Sequence, residues 1–175
     1  PAAWCGITGL KTSAGRVSTD GVLPLSPTLD TVGSMTRGIE DAALLYGALQ
    51  GGRPGEGSSQ GLAARDPMTN LKRGIRGLRL ACLPEVERQY ASAEVLAAYD
   101  ASLKLLQDLG AEIVTARLPC RLEEVAAYNF RIMAAESYAL YHALVDDEQA
   151  PLDPHVRPRI AAGRDIRARD YIEAL

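Results

Sequence analysis

The chain has 175 residues, 47% of them apolar and 23% charged, and a formal net charge of -3. That is the make-up of a globular protein with a real core. The charge is spread out, so neither nucleic acid nor an anionic membrane surface is favoured as a partner, and no apolar run approaches the ~20 residues of a membrane helix.

Residues 1–37 are rich in Gly, Ser, Thr and Pro, with short apolar runs at Ile7-Thr8-Gly9-Leu10, Val17 and Val22-Leu23. This predicts short strands and tight turns, without helix. From Ile39 the spacing of Ile39, Ala42, Ala43, Tyr46 and Leu49 predicts a helix, with Glu40 and Asp41 in its first turn and Gly51-Gly52 at its stop. Residues 51–74 have loop composition.

Leu78–Leu83, closed by Pro84, reads as a buried strand. Ser92 is placed to cap a helix carrying Val95, Leu96, Tyr99, Leu103, Leu106 and Leu109 on one face, with Gly110 as its stop. Glu112–Leu118 reads as a second strand. Strand, helix and strand make a β-α-β unit, which implies parallel strands joined by a right-handed crossover. A helix from about Leu122 to Val145, a loop at 147–154 and an amphipathic helix from about Val156 to Leu175, broken near Gly163, complete the chain. The expectation is one incomplete domain in four stretches: 1–50, 51–74, a β-α-β unit at 75–120 and a mainly helical 121–175.

Several chemistries can be weighed on residue type alone. The string Gly6–Thr12 lacks the glycines a phosphate loop needs before its lysine. Ser13, Ser18, Ser26 and Ser34 lie in turn-like sequence where Ser bonds local backbone, and there is no G-x-S-x-G elbow. His142 and His155 read as packing or surface residues, and Lys11 as an exposed charge. The acidic pairs Glu123-Glu124 and Asp146-Asp147 suit solvated helix ends. Cys5, Cys82 and Cys120 are odd in number and widely spaced, which fits a reducing cytosol, and with two His they form no metal-ligand pattern. The residues by themselves give an α/β domain of open function.

Read as one string, the first fifty residues say more. Pro1-Ala2-Ala3-Trp4-Cys5-Gly6-Ile7-Thr8-Gly9-Leu10-Lys11, Gly15-Arg16-Val17-Ser18, Leu29-Asp30-Thr31-Val32-Gly33, Thr36-Arg37 and Asp41-Ala42-Ala43 resemble the amidase signature family. Asp66-Pro67, Gly77-Leu78-Arg79, Leu109–Glu112, Ala135-Glu136, Arg159-Ile160, Gly163 and Asp170-Tyr171 follow in the family's order. Thr12-Ser13 replaces the usual Pro-Thr, and Ser34 replaces a Pro, both in turns where Pro is dispensable at modest cost.

The resemblance implies an α/β fold with a mixed, twisted sheet flanked by helices, represented incompletely at both ends. It implies hydrolysis of a carboxamide by a Ser nucleophile, a second Ser in a cis peptide and a Lys base, all upstream of Pro1, so that this chain alone is inactive. Cys5, Gly6, Gly9, Lys11, Gly15, Arg16, Asp30, Gly33, Arg37 and Asp41 become its structural signature. Tyr128, Asn129 and Arg159 become substrate-binding candidates, Arg159 as the guanidinium that holds a glutamine carboxylate in glutamine-using members. It also implies no cofactor or metal, a small-molecule amide substrate, no nucleic-acid or membrane contact, and a cytoplasmic setting. The partner is a second copy in a homodimer, or amidotransferase subunits if glutamine is used. The rival expectation is a truncated, non-catalytic remnant or scaffold. Either way, a piece cut from a larger sheet exposes apolar faces and strand edges, which predicts poor solubility or a partly molten state.

Overall fold

The computed structural model describes residues 1–51 and 62–175, so Gly52 of the expected helix stop and positions 52–61 of the expected loop lie outside the described residues. The chain falls into two compact units, Pro1–Asn70 with Ala127–Leu175, and Leu71–Ala126. Among the described residues the strands form two two-stranded sheets, one antiparallel and one parallel.

The first unit opens with a helical turn, α1 (Ala2–Cys5), where strands and turns alone were expected. Two alanines, the best helix formers, follow Pro1 at the N-cap, where its missing N–H costs nothing, and Gly6 ends the turn in the left-handed region. Strand β1 (Thr8–Gly9) pairs antiparallel with β2 (Met35–Thr36), and Leu10 N donates to Ser34 O. Val22-Leu23 forms no strand, and Val17 makes only isolated bridges to Gln50 and Gly51. Helix α2 (Ile39–Leu49) buries Ala42 and Ala43, as its spacing predicts.

Long-range polar contacts hold the loops of this unit. Thr12 Oγ1 donates to Val32 O at 2.9 Å, and Arg16 Nη1 to Ala63 O at 2.9 Å. The Gln50 amide exchanges two bonds with the Arg65 backbone, at 2.6 and 2.7 Å. A Cβ added to Gly33 would fall inside the Leu10 carbonyl oxygen, so the chain passes itself here at a separation that only glycine allows.

The long helix Leu122–Asp146, numbered α4 in chain order after α3 (Ala93–Asp108), buries Ile132, Ala134, Ser137 and Val145. From Leu122 to Arg131, by contrast, it is exposed on every face. The expected final helix is two short ones, α5 (Arg157–Ala161) and α6 (Ala168–Ala174). At the break the chain passes close to α4. Gly163 packs against the Ala134 carbonyl and the Tyr138 Cβ, leaving no room for a side chain.

The second unit holds β3 (Arg79–Cys82), helix α3 and β4 (Glu112–Thr115). β3 and β4 pair in parallel, Arg79 opposite Glu112 through Cys82 opposite Thr115, as a β-α-β unit requires. β4 stops three residues short of Leu118, because the partner strand ends at Cys82 and offers nothing further to pair with. Ser92 Oγ accepts the Val95 N–H at 3.4 Å, and Gly110 ends the helix region at φ +95°. Leu96, Tyr99, Leu103 and Leu106 are half-buried, whereas Val95 and Leu109, expected on the same face, are exposed. The buried stripe is therefore narrower than the apolar one.

Two side-chain knots finish the unit. The Tyr99 hydroxyl accepts Leu83 N at 2.8 Å, while Arg88 bonds Leu83 O and lies over the Tyr99 ring at 4.9 Å. Glu87, its side chain 3% exposed, accepts Arg121 Nε at 2.5 Å and the Leu122 N–H at 3.3 Å. It thus serves as both ion-pair partner and anionic cap for the first turn of α4.

Candidate functional site

The loop at residues 24–30 is shaped by its own carboxylate. Asp30 Oδ2 accepts Leu25 N at 2.8 Å and Ser26 N at 3.0 Å, a local pairing typical of Asp in turns. This makes Asp30, a signature residue, a loop-former. The loop is then tied to α4: the Tyr141 hydroxyl donates to Pro24 O, and Glu136 gathers the rest.

Glu136 Oε2 accepts Ser26 Oγ at 2.5 Å and Thr28 N at 3.1 Å, while Oε1 accepts Tyr171 Oη at 2.8 Å and Thr28 Oγ1. One carboxylate on α4 thereby joins the loop and α6. Partial burial works to raise the Glu136 pKa, but the hydrogen bonds from Ser26, Thr28 and Tyr171 outweigh it and hold the group below its ordinary value. The same bond raises the pKa of Tyr171.

Arg157 holds α5 to the end of α4. Its guanidinium donates to the carbonyl of Val145 at 2.5 Å, an acceptor that the helix end leaves open, and to the loop carbonyls of Asp147 at 2.9 Å and Ala150 at 2.7 Å. Arg164 pairs with Asp146 and donates to the Tyr138 hydroxyl at 3.2 Å. Hydrogen bonds from Arg164 and Tyr138 keep the Asp146 carboxyl below its usual range. Arg167 pairs with Asp170, and Arg169 with Asp170 and Glu173.

Arg159 stands apart from this neutralised run. Its side chain makes no hydrogen bond or ion pair among the described residues, and it lines a pocket of about 210 Å³ with Leu25, Met133, Ser137, Val156 and Ile160. Loop, α4 and α5 each supply a wall. An unpaired guanidinium beside aliphatic walls can take a carboxylate with a short apolar body.

Tyr128 and Asn129 do not line this pocket. Both are exposed on α4, Tyr128 with the Arg131 guanidinium 5.8 Å from its ring. Tyr128 precedes Met133 by five residues, about 7.5 Å of helix rise. Of the signature residues, Gly9, Lys11 and Gly33 border a cavity of about 420 Å³ with Pro1 and Ser34, whose Oγ is buried without a partner. Arg16 borders another of about 460 Å³ with Thr12, Ser13 and Tyr46. Cys5, Gly6, Arg37 and Asp41 are exposed and Gly15 is buried. Lys11 Nζ donates to Thr12 O at 3.2 Å.

Among the described residues, no candidate serine meets a lysine or histidine. Ser18 Oγ accepts Asp20 N, Ser26 Oγ donates to Glu136, and the side chains of Ser13 and Ser34 have no partner there. His142 Nδ1 faces Ala139 O at 3.3 Å, and the His155 N–H donates to Asp153. Among the described residues no group of His, Cys, Asp and Glu could hold a metal ion, and no helix is long and apolar enough to cross a membrane.

The model of the family described as Amidase matches residues 1–169. The chain belongs to the amidase family. It is 38% identical over 120 residues to a glutamyl-tRNA(Gln) amidotransferase subunit of Rubrobacter xylanophilus, covering 68% of this chain and 25% of that protein. It is 37% identical over 137 residues to the protein of the same name from Trichlorobacter lovleyi, covering 78% and 28%. The chain thus spans about a quarter of the length of these curated relatives.

Solved amidase-family structures share the fold. One, described as a vestigial protein complex that reveals the origins of an s-triazine catabolic enzyme, superposes with a TM-score of 0.86 at 28% identity, over 97% of this chain and 36% of that one. The glutamyl-tRNA(Gln) amidotransferase subunit of Thermotoga maritima superposes at 0.72 with 26% identity, over 99% and 37%.

Proposed function

We propose that the protein is an amidase that cleaves a carboxamide C–N bond through a serine acyl-enzyme, with its Ser–Ser–Lys groups carried outside residues 1–175. In that reading the 175 residues supply the shell behind the nucleophile and part of the substrate pocket, and have no turnover by themselves. The observation that carries the reading is the family match over residues 1–169, in a chain whose candidate serines meet no base among the described residues. A hydroxyl needs a base in hydrogen-bond reach to become a nucleophile. The acyl-enzyme forms as the Ser oxygen attacks the amide carbon, with amide N–H groups stabilising the oxyanion. It is released by water after the amine leaves.

A serine-directed covalent probe on the full-length protein tests this. Labelling is expected on one Ser shortly before Pro1, in a Gly-Gly-Ser-x-Arg context. Labelling within residues 1–175 sinks the proposal by placing the nucleophile in this stretch, and no labelling at all sinks it in favour of a non-catalytic scaffold.

A narrower reading names glutamine as the substrate, with ammonia passed to amidotransferase partner subunits. It is favoured by the unpaired Arg159 in its aliphatic pocket and by the names of the relatives. Arg159 would hold the substrate carboxylate, with Tyr128 and Asn129 bordering the approach to it. Glutamine hydrolysis that rises when partner subunits are added supports this reading. A preference for uncharged small amides, with the enzyme assembling only as a homodimer, contradicts it.

A further inference from the structure

The Arg159 pocket has three walls, and among the described residues no hydrogen bond runs between its lining side chains. Leu25 comes from the loop, Met133 and Ser137 from α4, and Val156, Arg159 and Ile160 from α5 and the residue before it. Two groups outside the pocket lining join loop to helix: the Tyr141 hydroxyl, which donates to Pro24 O, and a carboxylate that takes up the donors on the other side of Leu25. Glu136 lies between Met133 and Ser137 in sequence and bonds Ser26 and Thr28, the first of which follows Leu25 directly. Ser26 is 1% exposed, so its end of the bond to Glu136 is shielded from water, whereas Thr28 is exposed and Glu136 itself is half-buried. All the donors meeting Glu136 are hydroxyl or amide N–H groups, and among the described residues no cation neutralises it. A carboxylate surrounded only by donors accepts from each of them at once. A carboxamide brings an NH2 group that has nothing to donate to unless a hydroxyl turns.

We infer that Glu136 is a positioning residue for the Arg159 pocket: it holds the Leu25 wall against α4, and through Tyr171 it holds the segment that follows α5. This rests on the reading of the pocket as a carboxylate site. Glu136 touches no substrate in this role. It fixes the width of the slot in which the substrate's apolar body must lie for its carboxylate to reach Arg159. Misplacement by about 1 Å is enough to cost up to ~100-fold in a positioned site.

The test uses the full-length protein, with L-glutamine and the uncharged amide butyramide as paired probes. KM and kcat are measured for each, together with equilibrium binding of both by NMR titration. Arg159→Ala is expected to raise the glutamine-to-butyramide KM ratio, which tests the pocket reading. Glu136→Gln is expected to raise the same ratio by about tenfold, a modest misplacement on that scale. Tyr171→Phe, which removes one donor and leaves the fold's other contacts, is expected to raise it by a smaller factor. The Arg159→Ala/Glu136→Gln double variant should add nothing beyond Arg159→Ala alone.

If Arg159→Ala moves the ratio and neither Glu136→Gln nor Tyr171→Phe does, the positioning role is wrong and the pocket reading stands. Equal KM increases for both amides in the Glu136 variant also overturn it, since they report a general loss of structure. An unchanged ratio in Arg159→Ala removes the pocket reading and the positioning role with it. Should neither amide turn over, the ratio of binding constants is read in the same way, and absence of glutamine binding overturns both.

Discussion

The two units are held together by different means. In the β-α-β unit at Leu71–Ala126 the order comes from regular elements: two parallel strands, one capped helix and a glycine stop, each with partners close in the chain or set by strand pairing. In the other unit the antiparallel strands are two residues long, and the loops are fixed by single side chains reaching across long stretches of sequence. Repetitive hydrogen bonding shares a load over many weak contacts. A loop held by Glu136, Asp30 or Gln50 depends on one group, and its failure is correspondingly abrupt.

Substitutions sharpen that contrast, beginning with the close approaches. Gly163→Ala and Gly33→Ala each place a Cβ inside a backbone carbonyl, of Ala134 and Leu10 respectively. Each is expected to destabilise the first unit by about 3 kcal/mol or more, at or beyond the upper end of overpacking costs. Urea unfolding followed by hydrogen exchange should show the loss confined to residues of that unit. An exchange pattern raised equally in 71–126 would erase the distinction.

Next comes the buried carboxylate of the β-α-β unit. Arg121→Met leaves the Glu87 carboxylate buried with only the Leu122 N–H, and is expected to cost about 3 kcal/mol. Replacing both partners with apolar residues should recover most of it, as a double-mutant cycle in urea would show. A smaller effect is expected at the regular element: Ser92→Ala removes a helix cap at a cost of about 1 kcal/mol. A cost above that of Arg121→Met would mean that α3, and not the Glu87 knot, governs the unit.

The mildest effect is a pH dependence that belongs to the first unit alone. Glu136 is held below the unfolded value of 4.5, so its contribution is complete above that pH and is lost as pH falls through the lower folded value. Exchange protection of residues 24–30 should therefore be flat near neutrality and drop in acid, and Glu136→Gln should remove the drop. Tyr171, whose pKa is raised above 10.0, gives the opposite limb: its contribution holds at neutral pH and weakens in strong alkali.

Much of the β-α-β unit was legible in the residues because its determinants are local. Ser92, the apolar spacing to Leu106, Gly110 and the two flanking apolar runs specify it within about forty residues. The first unit hid more. Ser26 and Glu136 are 110 residues apart and Tyr141 and Pro24 are 117 apart, distances over which spacing carries no information. The turn at Ala2–Cys5 was obscured by the Gly- and Thr-rich stretch after it. Arg159 was singled out through family resemblance. That its neighbours are neutralised was partly readable, since Arg167–Asp170 and Arg169–Glu173 are helix-spaced pairs, while Arg164–Asp146 runs from the turn after α5 back to the end of α4. Glu136 stood in the resemblance as a position without a task.

The Gln50 amide meets the Arg65 backbone with both its donor and its acceptor, as one peptide group meets another. A two-point bond fixes direction as well as distance, so this one side chain sets the angle at which the Asp66-Pro67 turn meets the end of α2.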